Sequence, residues 1–169
     1  MLSDILPTGY ECGVLNGKVA PGSSVAIVGA GPIGLATLLT AQFYAPARII
    51  MIDLDDNRLA VARKFGATDT FNSGRDPVVS LVRELTDGKG VDTAIEAVGI
   101  PATFPPVTST LPPGSSRNAF LVYQSLQPGT SPTSAEGEMI QMHCLDVSRP
   151  IATAIEADEA LFKTAIGHE

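Results

Sequence analysis

Between Ser24 and Asp53 the chain sets three glycines at fixed offsets between two short apolar runs, and this stretch limits what it can fold into. The first run, Val25-Ala26-Ile27-Val28, is rich in β-branched residues and lacks polar alternation. It reads as a strand of a parallel sheet, buried on both faces. Gly29-Ala30-Gly31-Pro32-Ile33-Gly34 follows, then an apolar helical pattern from Ile33 to about Phe43. The second run, Ile49-Ile50-Met51-Ile52, ends in an acid, Asp53. Strand, glycine turn, helix and strand in that order make a βαβ unit.

Each part has a physical task in holding a dinucleotide. Gly29 permits the tight turn out of the strand. Gly31, without a Cβ, lets a pyrophosphate approach the backbone, and Gly34 lets the helix pack close to the strand. Pro32 suits the first helical turn, where a missing N–H costs little. The free N–H groups of that turn, Ile33 and Gly34 among them, face the phosphates with the positive end of the helix dipole. Asp53 stands 19 positions after Gly34. At a spacing of about 20 residues a carboxylate accepts hydrogen bonds from the adenosine ribose hydroxyls. Its charge repels a 2′-phosphate, so the expected cofactor is NAD rather than NADP.

The flanking chain continues the alternation. Residues 4–16 form a helix interrupted by Pro7 and Gly9. Asp55 to Phe65 reads as an amphipathic helix with Leu59, Ala62 and Phe65 on one face, broadened by Ala60 and Val61. Thr68 to Phe71 is a third strand. Asp76 caps a helix that starts at Pro77 and carries Val78, Val79, Leu81, Val82 and Leu85. Val91 to Val98 is a fourth strand. The β-α-β-α-β-α-β order implies an α/β fold, a Rossmann-type doubly wound parallel sheet with ligand beyond the carboxyl ends of its strands.

After Phe104 the character changes. Seven of the 13 prolines lie between Pro105 and the end. Residues 105–116 read as an irregular Pro/Ser/Thr-rich segment. Ala119 to Tyr123 reads as a fifth strand, and 138–145 and 154–166 as helices. The sheet is therefore expected to be incomplete, with an irregular C-terminal third. The expected divisions are a lead-in at 1–23, a dinucleotide-binding core at 24–104 and a divergent tail at 105–169.

Charge and composition exclude some partners. A net charge of −7 opposes non-specific binding to nucleic acid or an anionic membrane. No apolar run nears the roughly 20 residues that cross a bilayer, and the start of the chain has no basic region of a signal peptide. Cys12 and Cys144 read as two free thiols in a reducing cytoplasm. His143-Cys144 lacks a third ligand at useful spacing and is not read as a metal site. Glu96 reads as a structural carboxylate at a strand end.

The first 104 residues resemble the zinc-containing, medium-chain alcohol dehydrogenases. The matching pieces are 3–10 (SDILPTGY), 28–34 (VGAGPIG), Asp53-Leu54-Asp55, Arg58-Leu59, Phe65-Gly66-Ala67, Gly90-Val91-Asp92 and Glu96-Ala97-Val98-Gly99. The resemblance implies that Gly29, Gly31 and Gly34 carry the pyrophosphate and that Asp53 holds the ribose. It places Arg58 by that ribose or the adenine, and Ala97, Val98 and Gly99 beside the cofactor. Thr8 matches a position lining the nicotinamide side of the catalytic cleft. Asp4 matches a zinc-ligand position of the secondary-alcohol branch; on chemistry alone it serves equally as a helix N-cap. The zinc-free quinone reductase relatives fit less well, because they generally prefer NADPH.

In that family a catalytic domain bearing a zinc-ligand cysteine and histidine precedes the matching segment, and Asp4 alone cannot hold zinc. Residues 105–169 do not match the family's continuation, a pattern that a truncation, a frameshift or altered splicing would produce. Two readings follow. One is the NAD(H)-binding part of an oxidoreductase that, when complete, moves a hydride between a small alcohol or carbonyl substrate and NAD, with zinc as Lewis acid. The other is a non-catalytic dinucleotide-binding module or an inactive remnant. The resemblance also implies a homo-oligomer formed through a sheet edge, since a family sheet of six strands reduced to four or five leaves an edge uncovered.

Overall fold

The computed structural model describes residues 2–99, 110, 119–124 and 142–146. Six strands form one sheet: β1 (Ser24–Val28), β2 (Arg48–Asp53), β3 (Asp69–Asn72), β4 (Thr93–Glu96), β5 (Ala119–Gln124) and β6 (Met142–Asp146). Their order is β3-β2-β1-β4-β5-β6. All neighbours are parallel except β5 and β6, which are antiparallel, with Val122 opposite Cys144. The helices are α1 (Leu2–Thr8), α2 (Pro32–Ala41), α3 (Asp56–Lys64) and α4 (Val78–Leu85). A π-helical segment, Gly9–Leu15, continues α1, and a short 3₁₀ turn, Gln42–Tyr44, continues α2.

Alternation along β1 builds two cores. Val25 and Ile27 point to one face, where Ile49, Met51 and Ile95 meet Leu38 and Ala41 of α2 and Leu59 and Ala62 of α3. Ala26 and Val28 point to the other, where Ile50, Ile52 and Ala94 meet Val78 and Val82 of α4. Both faces are thus covered, which is why these strands read as continuous apolar runs.

The lead-in packs against α2 and joins the same core through Val14. A Cβ on Gly9 would lie 2.7 Å from the Thr37 amide nitrogen and 2.9 Å from the Ala36 Cβ, and one on Gly13 would lie 2.8 Å from the Thr37 methyl. Only glycine allows this approach. Thr37 is buried by it and turns its hydroxyl back to the Ile33 carbonyl, 2.9 Å away. The Tyr10 and Tyr44 hydroxyls, 3.0 Å apart, tie the same segment to the turn after α2.

Several expectations are corrected. Among the described residues the sheet has six strands, rather than the expected four or five. Residues 142–146 are a strand rather than part of a helix. Phe65, Ala60 and Val61 are exposed, so the buried face of α3 is only Leu59 and Ala62. Asp76 does not cap α4. Its Oδ2 accepts the Asn72 N–H at 2.8 Å, and Pro77 takes the cap position. Cys12 is disulfide-bonded rather than a free thiol. The expected helix at 154–166 and the segment 105–109 lie outside the described residues. No helix among the described residues is long and apolar enough to cross a membrane.

Candidate dinucleotide-binding site

The carboxyl ends of β2, β1 and β4 lie side by side, and the expected residues meet there. At the end of β1 the Gly29 N–H donates to the Ile52 carbonyl at 2.7 Å, and the chain turns with Gly29 at φ +101°. This left-handed conformation favours glycine. A Cβ at Gly29 would also strike the Val98 Cγ2 at 2.8 Å and the Ala97 carbonyl oxygen at 3.0 Å. One at Gly34 would overlap the Gly29 carbonyl oxygen, so α2 starts tight against the strand exit. Gly31 differs: nothing lies within 4 Å of its Cβ position. Gly31 is the N-cap of α2, Pro32 takes the first turn, and no side chain caps the helix. The first amides of α2, Ile33 and Gly34, are thus left to an outside acceptor.

Asp53 ends β2 with its carboxylate turned to the glycine turn. Its Oδ2 accepts the Ala30 N–H at 2.6 Å, and its Oδ1 accepts the Asp55 N–H at 2.9 Å. An ionised carboxylate offers about four lone-pair sites. Two backbone bonds fix its orientation and leave capacity on each oxygen for a vicinal diol. The Arg58 guanidinium, in the first turn of α3, lies 3.9 Å from the Asp53 Oδ2 and is largely exposed. Asp55 caps α3 by accepting the Asn57 N–H at 2.8 Å.

Beyond β4 the Ala97 N–H donates to the Val28 carbonyl at 2.8 Å. The Glu96 carboxylate, fully buried, accepts the N–H groups of Val98 (2.9 Å) and Gly99 (3.0 Å). This is the structural role read for it from sequence. Gly29, Gly31, Pro32, Ile33, Gly34, Asp53, Arg58, Ala97, Val98 and Gly99 thus gather around three adjacent strand ends.

Thr8 and Asp4 are not joined to this cluster by these contacts. Both are carried by α1, Thr8 buried at its end and Asp4 exposed in its first turn. Asp4 lies inside the helix, which removes the N-cap reading. No group of three or more His, Cys, Asp or Glu side chains able to hold a metal occurs among the described residues. These residues fit a dinucleotide; they do not by themselves fit zinc. Sequence reasoning misses Ala30, because its contribution is a backbone N–H with no side-chain signature.

The profile of zinc-binding dehydrogenases matches residues 32–119, about half of the chain. The chain belongs to the zinc-binding dehydrogenase family. An alcohol dehydrogenase of Cupriavidus necator is 41% identical over 125 residues, which cover 74% of this chain and 34% of the relative. A glutathione-independent formaldehyde dehydrogenase of Bacillus subtilis is 39% identical over 103 residues, covering 61% of this chain and 25% of the relative. Among solved structures, an alcohol dehydrogenase from Thermus sp. ATN1 superposes with a TM-score of 0.68 at 34% identity, covering 79% of this chain and 38% of that one. Zinc-dependent alcohol dehydrogenase 2 from Streptococcus pneumoniae gives a TM-score of 0.62 at 61% identity, covering 64% and 32%. This zinc-binding dehydrogenase chain therefore spans about a third of the length of the relatives named alcohol dehydrogenase.

Proposed function

We propose that this chain binds NAD(H) across the ends of β2, β1 and β4. In this reading it is the cofactor-binding part of an alcohol dehydrogenase-type oxidoreductase acting on a small alcohol or carbonyl substrate. The single supporting observation is the pairing of the Asp53 carboxylate with the glycine turn through the 2.6 Å bond from Ala30. A diol gripped by Asp53 lies next to a pyrophosphate seated at Gly31. When bound, the cofactor supplies the hydride chemistry. The chain's own residues bind and orient it: Asp53 at the ribose, Arg58 flanking it, the first turn of α2 at the phosphates, and Ala97 to Gly99 at the far side of the cleft. Zinc belongs to the complete family enzyme and would need ligands beyond the described residues.

The test is a fluorescence titration of the purified chain with NADH and NADPH. NADH is expected to bind at least about tenfold more tightly than NADPH, because a 2′-phosphate would face the Asp53 carboxylate. Asp53→Asn is expected to weaken NADH by about tenfold, the loss of a charge-assisted hydrogen bond. Absence of NADH binding, or preference for NADPH, overturns the proposal. Alcohol-dependent NADH formation is followed in the same samples. Binding with turnover assigns the redox step to this chain, and binding without it leaves the chain a dinucleotide-binding module.

A further inference from the structure

Glu96 is a fully buried carboxylate that ends a strand otherwise made of Thr93, Ala94 and Ile95. Burying an ionisable group is costly unless its hydrogen bonds are met, and one short turn supplies two of the donors here. Oε1 accepts the Val98 N–H at 2.9 Å, and Oε2 accepts the Gly99 N–H at 3.0 Å. Gly99 takes φ +79° in closing that turn. The turn in turn abuts the glycine loop, as the Val98 Cγ2 and Ala97 carbonyl oxygen beside Gly29 show. The buried carboxylate thus sets the position of the wall beside the glycine turn.

The strand order gives this wall an address. Asp53 is on β2, the glycine turn is on β1, and β4 flanks β1 on the side opposite β2. A dinucleotide with its adenosine at Asp53 and its pyrophosphate at Gly31 must carry its second nucleoside toward β4. We infer that Glu96 is a positioning residue for the nicotinamide ring of the cofactor, acting through the Ala97–Gly99 turn, and that the ADP-ribose part is indifferent to it. The inference rests on the NAD(H) reading above.

The experiment compares two ligands on the full chain: ADP-ribose, which lacks the nicotinamide, and NADH. Glu96→Gln keeps one acceptor oxygen, and Glu96→Ala keeps none. The expected result for Glu96→Gln is NADH affinity lowered by roughly tenfold, about one lost charge-assisted hydrogen bond, with ADP-ribose affinity unchanged within about twofold. Glu96→Ala, where it folds, is expected to lose more NADH affinity and to keep ADP-ribose. Equal losses for both ligands, or no loss for either, overturn the inference, since a purely structural carboxylate gives no split between them. Failure of the unaltered chain to bind ADP-ribose would instead sink the underlying NAD(H) reading, so the two failures are told apart.

Discussion

Gly31 and Gly34 are three residues apart and are glycine for opposite reasons. A Cβ at Gly34 meets the Gly29 carbonyl oxygen, an internal neighbour, whereas a Cβ at Gly31 meets nothing. Gly34→Ala should therefore cost stability, by about 2 kcal/mol or more in urea unfolding, as overpacking against backbone does. Gly31→Ala should change stability by no more than about 1 kcal/mol, the size of an N-cap change. On the proposed reading it should nevertheless abolish NADH binding, because the methyl would take the space proposed for phosphate. A Gly31→Ala protein that binds NADH normally would show that the open space at this position is not a phosphate site. The glycine offsets were legible in the sequence because backbone geometry demands glycine by position. Ala30 and Pro77 were not. One contributes only an amide, and the other caps α4 because Asp76 is drawn back to the Asn72 N–H.

Elements that the apolar pattern defines were legible, and elements defined by pairing were not. The runs Val25–Val28 of β1 and Ile49–Ile52 of β2 are apolar because both faces of the sheet are covered. By contrast, the segment read as a helix at 138–145 contributes to β6, where the ladder to β5 overrides a moderate helical period. The union of the lead-in with α2 was equally hidden, since it depends on two glycines meeting Ala36 and Thr37 in space. Its tyrosine pair gives a spectroscopic handle. The hydrogen bond shared with Tyr10 is the main cause that raises the Tyr44 pKa above its ordinary value, helped by burial and by the charge of an ionised Tyr10. A folded-state pKa that is raised contributes stability fully present below the unfolded value, about 10, and lost as pH rises through the folded value. Tyr10→Phe should bring the Tyr44 titration back toward about 10, read from phenolate absorbance. An unchanged alkaline titration would mean that the two hydroxyls are not bonded in solution.

At the scale of the molecule, the order β3-β2-β1-β4-β5-β6 leaves β3 and β6 at the edges among the described residues. The sheet is not short of strands, so the expected association through a missing-strand edge changes ground and moves to β6. β3 is four residues long. Its Asp69 carboxylate pairs with Arg48 at 2.7 Å, which places charge along that rim. The β6 sequence, Met142-His143-Cys144-Leu145-Asp146, holds no lysine, arginine or proline, the residues that usually blunt an edge. No described strand pairs with its outer N–H and C=O groups, and a second copy of the chain presents the same edge, which suits an isologous pairing. We expect sedimentation velocity to show a concentration-dependent dimer, and His143→Lys, which adds like charge to both edges, to shift the population toward monomer. A monomer at every concentration would remove β6 as an interface, and an unaltered dimer in His143→Lys would move the contact to another surface. Either result is expected to leave NADH binding untouched, because the proposed cofactor cleft lies at the ends of β2, β1 and β4, away from the proposed contact on β6.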